Sequence, residues 1–214
     1  MDQKLSTLMR TLEKNNIEAF YAEDKKEALH KVECLLPEGG TVTHGGSVTL
    51  SQCGIIELLK QGKYNYLDRN VPGLSREQVE EIYRKAFGAD VYITSANAVT
   101  MDGVLYNVDG NSNRVASILY GPKEVIFVVG RNKIVDTLDQ AVERVRSVAA
   151  PKNAKRLNCD TYCKTQGRCI AKPGAPMGAG CSSRDRVCCN YVVSAQQRVK
   201  GRIKVILVNE DLGY

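Results

Sequence analysis

Short apolar runs alternate along the chain with longer stretches whose apolar residues recur every three or four positions. The first pattern predicts strands and the second amphipathic helices. Leu5, Leu8, Met9 and Leu12 mark one face of a helix over 4–15, and residues 17–21 read as a strand. Asp24 is placed to cap a helix over 25–36 that turns Ala28, Leu29, Val32, Leu35 and Leu36 inward. Pro37 and Gly39-Gly40 end it. Residues 41–44 form a second predicted strand, closed by Gly45-Gly46-Ser47, and an apolar helix follows through Leu50, Cys53, Ile55, Ile56, Leu58 and Leu59. A short strand is predicted over 64–68. Ser75 and Gln78 have capping-box spacing at the head of a helix reaching about Phe87.

The stretch 88–121 dominates the second half. Residues 90–100, rich in β-branched and small side chains, predict one buried strand. Met101-Asp102-Gly103 signals a turn, residues 104–108 resume strand character, and the polar loop 109–114 leads into a helix that Asn111 or Ser112 can cap. Glu124 to Val129 is almost wholly apolar and predicts an inner strand, and a long helix is expected over 133–150. After Pro151 the composition shifts. Two strands, 191–194 and 203–208, then complete the pattern and are expected in the main sheet. Strands alternating with helices of this length predict an α/β fold with a mostly parallel central sheet and helices on both faces. The expected organisation is a single α/β domain over 1–214, with a cysteine-rich excursion at 157–189.

Charge adds little to this picture. The net charge of +6 is dispersed, with small clusters at 152–156 and 198–202, and gives no basic patch for nucleic acid. No apolar run approaches the ~20 residues of a membrane span. The N-terminal stretch is amphipathic and partly acidic, unlike a secretory signal, so the expected compartment is the cytoplasm. There the eight cysteines read as reduced, redox-active or metal-bound rather than as a disulfide framework.

Candidate chemistry gathers at two glycine-containing loops. In the first, Gly45 and Gly46 end a strand and Ser47 or Thr49 opens a helix, the arrangement that lets an anion approach backbone N–H groups at a sheet's carboxyl edge. It lacks the Gly-Lys-Ser/Thr end of a Walker loop and is not GxGxxG. In the second, Gly110, Asn113 and Arg114 follow a strand, with Asn97 and Asn107 nearby in sequence. If both loops lie on one side of the sheet, their N–H groups converge on one anion and Arg114 supplies a forked contact. His44 is the histidine placed for acid–base or orienting work, against the alternative of a strand-end histidine bonded to backbone. Asp102 and Asp109 are the carboxylates nearest the expected pocket, and each also suits a turn.

The blocks HGGSVTL (44–50), GADVYITSANAVTMDGVLYNVDGNSNRVASILYGPKEVIFVVGRNKIV (88–135), CKTQGRC (163–169) and CSSRDRVCCNYVV (181–193) resemble the lactate-utilisation (LUD) domain family over nearly the whole chain. The resemblance implies a fold like that of ribose-5-phosphate isomerases, CoA transferases and 5-formyltetrahydrofolate cyclo-ligases. It also implies a link to oxidation of L-lactate to pyruvate beside iron–sulfur oxidoreductase partners, and is compatible with a homo-oligomer. The catalytic glutamate of a CoA transferase has no counterpart at a matching position.

Six cysteines fall between 159 and 189 with the spacing C-x3-C-x5-C-x11-C-x6-C-C, which is neither a zinc ribbon nor a ferredoxin run. Three readings stand open. The first is an iron–sulfur cluster or other metal on Cys163, Cys169, Cys181 and Cys188, the second redox-linked disulfides, and the third free thiols in a flap. For the chain as a whole two functions compete. One is an enzyme acting on a small anionic metabolite: a 2-hydroxy or 2-oxo acid, a sugar phosphate or a CoA ester. The other is a non-catalytic ligand-binding or redox-responsive subunit that works with iron–sulfur partners.

Overall fold

The computed structural model describes residues 2–214. In chain order the first half runs α1 (Gln3–Lys14), β1 (Glu18–Ala22), α2 (Lys25–Leu35), β2 (Thr41–His44), α3 (Val48–Gln52), α4 (Ile55–Leu59), β3 (Asn65–Tyr66), α5 (Arg76–Lys85) and β4 (Val91–Thr94). The second half runs β5 (Ala98–Thr100), β6 (Leu105–Asp109), α6 (Asn113–Leu119), β7 (Glu124–Gly130), β8 (Ile134–Val135), α7 (Leu138–Arg144), α8 (Ala150–Arg156), α9 (Tyr162–Gln166), β9 (Asn190–Ser194) and β10 (Ile203–Val208).

Six strands form a central sheet in the order β1-β10-β7-β4-β2-β3, and every pairing in it is parallel. The period-two geometry of a strand sends alternate side chains to opposite faces. In β7, Ile126 and Val128 meet the core under α2 and α4, while Val125, Phe127 and Val129 meet a second core under α1 and α6. A run apolar at every position is therefore what an inner strand with helices on both faces requires. Helix boundaries follow local chemistry. Asp24 accepts from Lys26 N and Glu27 N at the head of α2, and Ser75 and Gln78 close a reciprocal capping box on α5.

Four expectations from the pattern are corrected. Residues 90–100 do not form one strand: β4 ends in the central sheet at Thr94, the chain turns through Ser95-Ala96-Asn97, and β5 belongs to a separate sheet ordered β8-β5-β6-β9. Of the two late strands, β10 inserts between β1 and β7, but β9 pairs antiparallel with β6 in the smaller sheet. The helix expected behind the first glycine loop is broken, because Gly54 at φ +73° separates α3 from α4. The helix expected over 133–150 begins later, capped by Thr137, and runs through a π-helical turn at Val145–Ala149 into α8. Pro151 sits at the head of α8, where hydrogen bonding changes register and its missing N–H is tolerated.

The smaller sheet packs one face against the second core through Val99 and Leu105. Its other face, with Ala98 and Tyr106, meets Ala141, Val145 and Ala149 from α7 and the π turn. The cysteine-rich segment joins this third core through Met177, Val187 and Cys188. No helix among the described residues is long and apolar enough to cross a membrane.

Candidate functional site

A cavity of about 530 Å³ opens where β2, β3, β4 and β7 of the central sheet release the chain at their carboxyl ends. Ligands bind at this edge in open parallel sheets, and the volume lies within the ~300–1,000 Å³ usual for small-molecule sites. Gly46 and Ser47 follow β2, Arg69 follows β3, Ser95 and Asn97 follow β4, and Lys133 follows β7. The smaller sheet contributes Asp109, Gly110, Asn113 and Arg114 from the end of β6 and the head of α6. Arg156, Tyr214 and the 184–187 part of the cysteine segment complete the wall.

The two glycine loops do come together, and side chains of the protein itself take up some of the N–H groups at the heads of their helices. Ser112 adopts φ +65° and makes no side-chain cap. The Asp109 carboxylate caps α6 instead, accepting from Arg114 N at 3.1 Å and Val115 N at 3.2 Å. Ser47 Oγ similarly accepts from Leu50 N. Arg114 is also engaged by the protein. Its Nη1 donates to Ser95 O and Asn107 Oδ1 at 3.1 and 2.8 Å, and its Nη2 to Asn97 Oδ1 and Val108 O, both at 2.9 Å. No terminal N–H is left for a ligand. Arg114 ties β4, β6 and α6 together under the cavity floor, so it is a positioning residue.

Other expected residues have similar supporting places. Asn107 is fully buried and does not line the cavity. Thr49 is buried behind the wall, where its Oγ1 accepts from Lys133 Nζ at 2.8 Å and donates to Leu212 O. Gly45 is tightly enclosed, since a Cβ there would lie 3.0 Å from Arg114 Cδ, Thr94 Oγ1 and Tyr92 Oη and these side chains would have to give way by a few tenths of an ångström. His44 is stacked on Tyr66, bonds Gly45 O through Nδ1 at 2.8 Å, and lies outside the main cavity. Burial holds its pKa below the ordinary range, and its Nε2 has no partner among the described residues. Asp102 bonds Thr100 in its turn and does not line the cavity. Of the three acid–base candidates, Asp109 alone faces the cavity.

The sequence reading missed the side chains that give this cavity its character. Arg69 donates from Nη1 to Tyr83 Oη at 3.1 Å and lies over that ring at 5.4 Å, while its buried Nε has no partner. Arg156 donates from Nε to Tyr214 Oη and from Nη2 to Asn153 Oδ1, both at 2.8 Å. Among the described residues both guanidinium groups bond only neutral partners. They approach the same spot: a Cβ on Gly46 would meet Arg69 Nη2 at 2.7 Å and Arg156 Nη2 at 3.9 Å. The absence of a side chain at Gly46 is thus what leaves space between two cations.

Lys133 is 2% exposed. Its Nζ donates to Thr49 Oγ1 and to Ser95 Oγ at 3.0 Å, and no carboxylate neutralises it among the described residues. Burial, followed by the charges of Arg144 and Arg114, pushes its pKa down to about 7 from 10.5. The folded protein therefore holds fewer protons than the unfolded chain between pH ~7 and ~10.5, and stability rises with pH across that window by roughly 1.4 kcal/mol per unit for this one group. Lys133→Met is expected to flatten that part of the profile. Urea unfolding of both proteins from pH 7 to 10 measures the difference, and parallel profiles would mean Lys133 is charged when folded.

The profile of the LUD domain family matches residues 5–208. Among solved structures, the chain is similar to a DUF162 family protein from Deinococcus radiodurans, at 17% identity and a TM-score of 0.54, with 96% of each chain covered. Ribose 5-phosphate isomerase A from Neisseria gonorrhoeae matches at 19% identity and a TM-score of 0.35, over 53% of this chain and 54% of that one. The enzyme of the same name from Methanocaldococcus jannaschii matches at 13% and 0.38, over 82% and 80%. These two likenesses are too loose to say anything of the chemistry here. None of the curated proteins matches the chain. The family match spans both sheets and every element that builds the cavity: the chain belongs to the LUD domain family.

Proposed function

We propose that the cavity binds a small metabolite through its carboxylate or phosphate group, with Lys133 as the proton-carrying group beside it. One observation carries the reading: Arg69 and Arg156 converge on the space above Gly46, and among the described residues neither is ion-paired to a carboxylate. Like charges held this close repel, and an anionic ligand turns that repulsion into two charge-assisted contacts. An amine with a pKa near neutrality, held by two hydroxyls at the cavity floor, exists in both forms at cellular pH and can accept or return a proton. The lactate-utilisation character of the family makes short 2-hydroxy and 2-oxo acids the first class to test, with sugar phosphates and CoA esters next.

A second reading is ligand binding without turnover, in a subunit that works with iron–sulfur partner proteins. It is favoured by the part that Arg184 to Val187, between two cysteines, plays in the cavity wall. A thermal-shift screen over the three metabolite classes finds the ligand, since saturation at ~100 times Kd stabilises by about 2.7 kcal/mol. Solvent-deuterium exchange into a bound 2-oxo acid then separates the readings. Exchange lost in Lys133→Met supports the enzyme, binding without exchange selects the second reading, and failure of every anion to stabilise the protein refutes both.

A further inference from the structure

We propose that Cys163, Cys169, Cys181 and Cys188 form a four-thiolate metal centre in the cysteine-rich segment, separate from the anion cavity. They come from α9, the turn after it, the following loop and the residues just before β9, yet all four line one small cavity. The other four cysteines do not line it. Cys189, adjacent to Cys188, is exposed and donates to Arg186 O instead. Little in the segment's composition forces this convergence, because 157–189 is poor in apolar residues and a segment of that kind needs a staple.

Two independent features point to a ligand between the sulfurs. First, donors are aimed at them. Ala171 N–H lies 3.4 Å from Cys169 Sγ, and Arg186 Nε–H lies 3.3 Å from Cys188 Sγ. Donors of this kind, aimed at a ligating sulfur, hold metal ligands in orientation. Second, the Tyr106 side chain lines the same cavity, is completely buried, and has no hydrogen-bond partner for its hydroxyl among the described residues. A buried hydroxyl without a partner is costly, and an anionic sulfide or thiolate in the cavity would accept from it.

The spacing favours a cluster over one ion. Four thiolates on a single tetrahedral zinc, with Zn–S near 2.3 Å, stand only about 3.8 Å apart. No three Cys, His, Asp or Glu side chains among the described residues are gathered closely enough to hold one metal ion. In a four-iron cluster each thiolate binds its own iron, so the sulfurs stand wider. A metal here would also bear on the anion cavity. Arg186 donates to Cys181 O and Gly178 O, pinning the loop whose residues 184–187 form part of that cavity's wall.

The test is the metal and acid-labile sulfide content of the whole chain, purified without oxygen and reconstituted with iron and sulfide. The expected result is about four irons per chain, with the visible absorption of a cluster. That signal should be lost in Cys163→Ser and Cys188→Ser and kept in Cys189→Ser and Cys34→Ser. Stoichiometric zinc lost in the same variants would keep the centre and overturn the cluster. A wild-type chain without metal, whose four thiols alkylate freely or appear as disulfides by mass, would overturn the proposal whether or not any variant folds.

Discussion

Arg114→Ala is expected to destabilise the folded protein by about 3–5 kcal/mol, the usual cost of removing one partner from a buried charged network. Arg114 is the side chain on which the two sheets meet. Its four terminal N–H groups serve two backbone carbonyls, Ser95 O and Val108 O, and two side-chain amides, the half-buried Asn97 and the fully buried Asn107. Asn97 Oδ1 retains Val108 N–H as a donor, but Asn107 Oδ1 loses its partner in a residue that is fully buried. Each unsatisfied buried acceptor costs roughly 1–3 kcal/mol. Urea unfolding measures the change. A loss below ~1 kcal/mol, the range of exposed ion pairs, would mean that Arg114 is not the tie described.

The second large effect is on binding. Arg69→Ala and Arg156→Ala should each weaken a carboxylate or phosphate ligand by about 1.5–3 kcal/mol, roughly ten- to hundredfold. Gly46→Val should do so with both arginines present, because its side chain occupies the point that Arg69 Nη2 approaches to 2.7 Å. The free protein should respond in the opposite sense from one that has lost salt bridges. Both arginines bond only neutral groups among the described residues, so deleting either relieves repulsion and should leave stability within about 0.5 kcal/mol of wild type. Calorimetric titration together with unfolding curves separates the two effects. Weakened folding with unchanged affinity would make the arginines structural.

The parallel sheet was legible because its strands carry their environment in their composition. Glu124 to Val129 is apolar at nearly every position, as an inner strand with two covered faces must be. The change of sheet after Thr94 was not legible. Residues on both sides of it are buried, and Ser95-Ala96-Asn97 contains neither glycine nor proline to announce a turn. Helix caps were legible where the side chain reaches its own first turn, as at Asp24 and Ser75, and not where Asp109 reaches forward over a loop. The glycine loops marked the right edge of the sheet, so Gly46, Ser47, Asn97, Gly110, Asn113 and Arg114 do line the cavity. Its cations without a carboxylate partner were hidden because Arg69 follows β3, Lys133 follows β7 and Arg156 ends α8, and nothing local distinguishes them from solvated surface charge. Lys133 stood inside the stretch 88–135 but read as the first residue of a helix that begins only after Thr137.

The most direct test of the anion site is the proton balance of binding. A negative charge within a few ångströms raises an amine's pKa by ~1–3 units, so a ligand in this cavity must bring Lys133 above its free value of about 7. Titration calorimetry at pH 8, repeated in buffers of different ionisation enthalpy with the best ligand from the screen, should show uptake of roughly half to nearly one proton per ligand bound. Uptake should vanish in Lys133→Met. Binding with no proton uptake in wild type, or with equal uptake in the variant, would contradict an anion held beside Lys133.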